Sequence, residues 1–296
     1  MSSFSRFQKC ALTGIGALSG LGGLAFIYNI FSSPGSNQAQ SNQKPLQESP
    51  FIHKSWTTNF TPSVNWDTNW DKRDPKSLVK PRKPRSPEDE NEYNKKIEAK
   101  KSKAFRHLIL IRHGQYNLEG NTDAERVLTK LGRKQAECTG KRLAELGLPY
   151  SLIVKSTMSR AQETASIIEE FLPKVETKND SILVEGFPIP PEPPVGHWRP
   201  ESSFFQDGPR IEAAFRKYFH RADEKQKEDS YTVIVCHANV IRYFACRALQ
   251  FPPEAWLRIS LHHASITWLA IHPSGRVHLR CLGDAGHMPP EYLTTS

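Results

Sequence analysis

Paired cysteines are missing from this chain. The five that occur, Cys10, Cys138, Cys236, Cys246 and Cys281, are odd in number, scattered, and never spaced as Cys-x-x-Cys. Such usage supports neither a disulfide framework nor a thiolate zinc site, and it places the folded part in a reducing compartment. Acidic residues are missing before Glu48, and no charge of either sign falls between Lys9 and Lys44. The formal net charge of +9 is unevenly placed: residues 76–106 hold eleven Lys or Arg against five Asp or Glu, whereas residues 107–296 hold twenty-three against twenty-two. A nucleic-acid binder concentrates its basic excess on a folded face. With the globular part near neutrality, no nucleic-acid partner is expected, and "VKPRKPR" reads as a solvated linker.

Residues 10–31, "CALTGIGALSGLGGLAFIYNIF", form the longest apolar run, sufficient to cross a bilayer as one helix behind a basic flank of residues 1–9. Gly16 and Gly20 give it a G-x-x-x-G face that permits close helix approach in lipid. The lack of acids is shared with mitochondrial targeting segments; a cleaved secretory signal is the alternative, and the absence of cysteine pairing counts against it. Residues 32–64 are rich in Ser, Gln, Asn and Pro and read as a flexible tether. The stretch 65–75, "NWDTNWDKRDP", repeats Asn-Trp-Asp with no adjacent apolar run to cover Trp66 and Trp70. Residues 76–104 read as a charged linker with a solvated helix, acids first and bases last.

From residue 105 to about 290, short apolar runs alternate with helical patterns. "HLILI", "SLIV", "SILV" and "YTVIVC" read as buried strands. Helical spacing marks the run between a Thr129 cap and Gly147, then "SRAQETASIIEEFL" and "NVIRYFACRALQF". The alternation predicts a three-layer α/β fold, a mostly parallel sheet with helices on both faces. "ASITWLAI" and "RVHLRCL", joined by "HPSG", predict a closing antiparallel hairpin.

Ligands of open parallel sheets bind outside the carboxyl ends of the strands. The exits of the predicted strands carry Arg112 and His113, then Arg160 at a helix start, then Glu185, then His237. Arginine forks grip phosphate oxygens, a neutral imidazole can attack phosphorus, and a carboxylic acid can protonate the departing oxygen. Cys236, beside His237, reads as a small buried hydrophobe facing away from the site.

Arg112-His113-Gly114, "STMSRAQETA", Glu185 and "CHANVIRYF" resemble, in order and spacing, the histidine phosphatase superfamily, also called the phosphoglycerate mutase superfamily. The resemblance implies that fold, a phosphorylated nucleophile at His113, an acid/base at Glu185, and a phosphate cradle of Arg112, Arg160 and His237, with no metal and no diffusible cofactor. Glycolytic mutases of this superfamily carry Glu-Ser after the Arg-His-Gly; Gln115, Tyr116 and a polar loop stand here instead, so a mutase is not expected.

More narrowly, the apolar start, the Trp-Asp repeat, "EGFPIPPEPPVGHWRP" and "LHHASITWL" resemble the membrane-anchored mitochondrial serine/threonine protein phosphatases within that superfamily. This implies phosphoprotein substrates, a mitochondrial address with the outer membrane favoured over the inner, and homo-oligomers assembled through Trp66, Asp67, Asn69, Trp70 and Asp71. Tryptophans make strong interface anchors, and the flanking acids can pair with a basic rim. Folding back of the segment onto its own domain is the alternative. A catalytically silent scaffold and a small-molecule phosphomonoesterase are the rival functions.

Overall fold

The computed structural model describes residues 61–81, 86–196 and 199–295. The expected membrane span at 10–31, with Gly16 and Gly20, and nearly all of the tether lie outside the described residues. Among the described residues no helix is long and apolar enough to cross a membrane.

A six-stranded mixed sheet organises the domain in the order β3-β2-β4-β1-β5-β6. Its strands are β1 (Arg106–Arg112), β2 (Tyr150–Lys155), β3 (Glu176–Asn179), β4 (Ser230–Cys236), β5 (Ile266–Ile271) and β6 (Val277–Asp284). β1, β4, β2 and β3 run parallel, and β5 and β6 add antiparallel pairs at one side. Strand alternation divides the core in two. Leu108, Leu110, Ile234 and Cys236 face a layer containing Phe215, Val240 and Phe244. Ile109, Ile111, Val233 and Val235 face a layer containing Leu143, Ala165 and Ile168. Both faces are covered, which is why β1 and β4 read as continuous apolar runs.

Helices α2 (Lys130–Glu145) and α3 (Ser159–Phe171) form one covering layer, and α4 (Glu201–Tyr218) and α5 (Ala238–Ala248) the other; α1 (Pro87–Ala99) precedes the sheet. Thr129 caps α2 through a hydrogen bond to its Oγ1 from Gly132 N, and Gly147, at φ 58°, turns the chain beyond its end.

Two expectations are corrected. "SILV" is not a strand: Ser181–Leu183 is a 3-10 turn started by Asp180, whose side chain accepts from Ile182 N. The strand beside β2 is the preceding "ETKN", a largely exposed edge that needs no apolar alternation. Nor does Trp70 stand in the open. It is 7% exposed, its Nε1 donates to Gly275 O at 2.8 Å, and its ring lies 5.9 Å from that of Phe215. Asp71 meets Arg221 at 2.8 Å, Arg216 donates to Trp70 O at 3.0 Å, and Gln250 hydrogen-bonds both backbone groups of Asp67. Asn69 folds the segment on itself by accepting from Asp74 N. The cover for Trp70 comes from distant sequence, and large aromatic area favours it. Trp66 remains 37% exposed.

Candidate active site

β1 and β4 are neighbours, so the residues that leave them meet. His113 N donates to Cys236 O at 3.0 Å, and the rings of His113 and His237 lie 5.2 Å apart. Both rings are buried. Gly114 then passes so close to α2 that a Cβ there would lie 2.5 Å from Gly132 O. That contact requires glycine, and it aims the chain so that Gly114 N donates to Thr164 Oγ1 on α3.

The His113 tautomer follows from its partners. Nδ1 lies 2.9 Å from Gly114 O, a carbonyl that can only accept, so Nδ1 carries the proton. Nε2 is therefore a lone pair, and it accepts from Arg160 Nε at 3.2 Å. Burial, then the neighbouring His237, Arg160 and Arg112, hold the His113 pKa well below the usual imidazole range, against a weaker opposing effect of Gly114. The ring is neutral and nucleophilic at Nε2.

Arg160 sits in the first turn of α3 with its guanidinium 4.7 Å over the Tyr116 ring. His237 precedes α5 and lies 2.8 Å from Ser156 Oγ through Nε2. Arg112 spends both Nη1 hydrogens on the carbonyls of Leu261 and Thr295. What remains is informative: Arg112 Nε, Arg160 Nη1 and His237 Nδ1 are buried without a hydrogen-bond partner among the described residues, although Arg160 Nη1 has an ion pair with Asp123 Oδ1 at 3.6 Å. Buried polar groups are rarely left so, and three around one nucleophile make a cradle suited to an oxyanion.

Glu185 follows the 3-10 turn rather than a strand. Arg210 of α4 fixes it there, donating to the carbonyls of Ile182, Val184 and Glu185 while pairing with Asp207. Burial raises the Glu185 pKa, and this outweighs the hydrogen bond from Gly186 N and the charges of Arg160 and Arg112. A carboxyl so placed can hold a proton and later release it.

The structure thus gathers Arg112, His113, Arg160, Glu185 and His237 around one cleft. Trp66, Asp67, Asn69, Trp70 and Asp71 belong instead to the segment docked against α4 and the β5–β6 turn. Sequence reasoning did not single out Tyr116, Ser156, Arg210 or His263 as site residues. Tyr116 lies three residues from His113, Ser156 opens the "STMSRAQETA" stretch and His263 lies in "LHHASITWL", whereas Arg210 carries no such signal. Cys236 is wholly buried in the core, and burial pushes its thiol pKa up, so it is not a ready nucleophile.

Known proteins resemble this chain in sequence. The "Serine/threonine-protein phosphatase Pgam5, mitochondrial" of Drosophila willistoni is 56% identical over 254 residues, covering 84% of this chain and 87% of that protein. Its namesake in Drosophila yakuba is 58% identical over 249 residues, covering 82% and 86%. A phosphoglycerate mutase from Plasmodium falciparum, of known structure, is 36% identical, covers 65% of this chain and 99% of its own, and has a TM-score of 0.46. A sequence profile described as "Histidine phosphatase superfamily (branch 1)" matches residues 108–186 and 195–284, which include all five cleft residues. With that profile matched over more than half of its length and relatives this similar over most of it, the chain belongs to the histidine phosphatase superfamily.

Proposed function

We propose that this chain hydrolyses phosphoserine and phosphothreonine in proteins through a phosphohistidine at His113. The observation that carries the reading is the Nδ1–H tautomer of His113, which leaves Nε2 unprotonated, its lone pair engaged by a hydrogen bond from Arg160 Nε that a phosphoryl group would displace. In the first step the Nε2 lone pair forms a bond to phosphorus as the bond to the serine or threonine oxygen breaks. Protonated Glu185 gives its proton to that oxygen. In the second step ionised Glu185 takes a proton from water, the resulting hydroxide attacks phosphorus, and the phosphorus–nitrogen bond breaks. Inorganic phosphate leaves and His113 returns neutral, with Glu185 again protonated. Arg112, Arg160 and His237 hold the phosphoryl oxygens, whose charge offsets two arginines in a water-poor cleft. The mechanism needs no metal or diffusible cofactor. The names of the relatives support the substrate class and the mitochondrial location.

Two parts of this reading rest on the sequence. Residues 10–31 anchor the protein in the mitochondrial membrane, the outer one favoured, with Gly16 and Gly20 on a packing face. Trp66, Asp67, Asn69, Trp70 and Asp71 join copies of the chain. Within one chain Trp70 and Asp71 sit on their own domain, so this part of the reading requires the segment to leave that seat for the equivalent one on a second copy.

Rapid quench with a ³²P-labelled phosphothreonine peptide tests the chemistry. Label should appear on the wild type, be lost in acid and kept in base, and be absent from His113→Ala. Faster turnover of sugar phosphates than of phosphopeptides would instead favour a small-molecule phosphomonoesterase. Light scattering of a Trp66→Ala, Trp70→Ala double variant tests assembly; an unchanged mass would sink the oligomer reading.

A further inference from the structure

Arg112 is held from behind by groups that the chemistry above does not use. Its Nη1 donates to Leu261 O at 2.6 Å and Thr295 O at 2.7 Å, and its Nη2 lies 3.0 Å from His263 Nε2. A guanidinium has donors only, so His263 Nε2 must accept. The proton is then on Nδ1, which donates to Thr294 Oγ1 at 2.8 Å. Burial, then the charge of Arg112, lowers the His263 pKa to about 3, in keeping with a neutral ring.

The far end of this relay is also fixed. Gln135 Nε2 donates to Thr294 Oγ1 at 2.8 Å and to Tyr292 O at 2.6 Å, and His263 N donates to Thr294 O at 2.9 Å. Ala264, the next residue, has φ 55°, a left-handed conformation unfavourable for a residue with a Cβ. It is pinned there by hydrogen bonds from Ala264 N to His113 O and from Thr139 Oγ1 to Ala264 O. Backbone strain held in place beside a phosphate-facing arginine directs attention to what that turn orients.

We propose that His263 is a positioning residue: as a neutral acceptor it sets the guanidinium of Arg112 with Nε and one Nη2 hydrogen facing the phosphoryl group, and ties that pose to residues 294–295. The proposal rests on the reading of Arg112 as part of the phosphate cradle. Removal of the acceptor leaves Arg112 held by the two carbonyls on Nη1, with the Nη2 edge no longer anchored by His263.

The two ring nitrogens can be replaced separately. In His263→Gln an amide oxygen falls near the Nε2 position and still accepts from Arg112; in His263→Asn an amide nitrogen falls near Nδ1 and reaches only Thr294. Orthovanadate binding to the full chain, which needs no turnover, is measured beside phosphopeptide kinetics and melting temperature. His263→Ala and His263→Asn should weaken vanadate by about tenfold or more, the scale of a lost hydrogen bond to a charged group, with a matching fall in kcat/KM. His263→Gln should stay within about threefold of wild type, because the acceptor for Arg112 is kept. Equal vanadate affinity in Gln and Asn variants overturns the proposal, and so does Asn binding better than Gln; this comparison stands even if His263→Ala fails to fold. A wild type that binds vanadate but leaves phosphopeptides intact sinks the protein-phosphatase reading and leaves this test usable.

Discussion

Arg221 closes on Asp71 with both side chains almost fully shielded from solvent, 2% and 0% exposed, at 2.8 Å. The guanidinium also donates to Thr68 O at 2.6 Å, and Arg221 N donates to Asp71 Oδ2 at 2.8 Å. Burial raises the Asp71 pKa, and the hydrogen bonds from the Arg221 side chain and backbone more than reverse this, leaving it below the ordinary carboxyl range. Because the folded value is depressed, the pair's contribution is present above the ordinary aspartate pKa and is lost as pH falls through the folded one.

Docking of residues 66–77 should therefore fail in Asp71→Asn, which leaves the buried Arg221 charge with only the more distant Asp74 carboxylate, at 3.9 Å, as its counter-ion. Losing one partner of a buried pair costs about 3–5 kcal/mol. Gly275→Ala should produce the same release from the opposite wall, since its φ is 87° and a Cβ would come within 2.8 Å of Arg221 Cζ. Hydrogen exchange at Trp70 and Asp71 is the measurement. Protection unchanged in both variants would refute the docking account.

His220 should make stability fall with acid. Its Nδ1 lies 2.7 Å from Arg221 O, and burial, then Arg106, lowers its pKa to about 4. Between that value and an unfolded pKa of about 6.5, the unfolded chain binds a proton that the native chain does not, a loss of up to about 1.4 kcal/mol per pH unit. Urea titrations of wild type and His220→Gln at pH 7 and pH 5 compare the two. The wild type's advantage should shrink at pH 5, and a difference independent of pH would count against this assignment.

The parts legible in sequence were those set by local signals. The Thr129 cap, the Gly147 turn and the apolar runs of β1 and β4 each act within a few residues. The cleft could be read too, because strand exits of a parallel region share one edge. Long-range placement could not. Trp70 and Gly275 are 205 residues apart in the chain, and nothing near Trp70 announces its cover. His263 reaches Arg112 only because β5 pairs antiparallel with β1. Glu185 was placed at the right edge although "SILV" is a turn, since the turn and the true edge strand are consecutive.

Arg210 should matter for acid/base chemistry without touching phosphate. It satisfies three carbonyls of the turn before and at Glu185. Arg210→Met keeps much of the volume and removes those donors, so the turn should loosen and kcat should fall by about ten- to a hundredfold, the scale reached when a catalytic group is misplaced. Vanadate affinity should change little. Weakening of vanadate as large as the loss in kcat would show that Arg210 supports the cradle instead.

The role of Glu185 can be separated from folding by the choice of leaving group. A serine or threonine alkoxide is strongly basic and must be protonated as it departs, whereas p-nitrophenolate leaves without help. Glu185→Gln should therefore slow phosphopeptide hydrolysis by about 10²–10⁴-fold, the usual worth of a positioned proton donor. With p-nitrophenyl phosphate, phosphorylation of His113 should stay fast, and the phosphoenzyme should accumulate because water then lacks its base. The pH profile carries the same sign. The folded Glu185 pKa is raised, so kcat/KM for the phosphopeptide should fall as pH rises through that value in the wild type. In Glu185→Gln this alkaline limb should vanish. Equal slowing of both substrates, with no phosphoenzyme build-up, would mean that Glu185 does not move the proton.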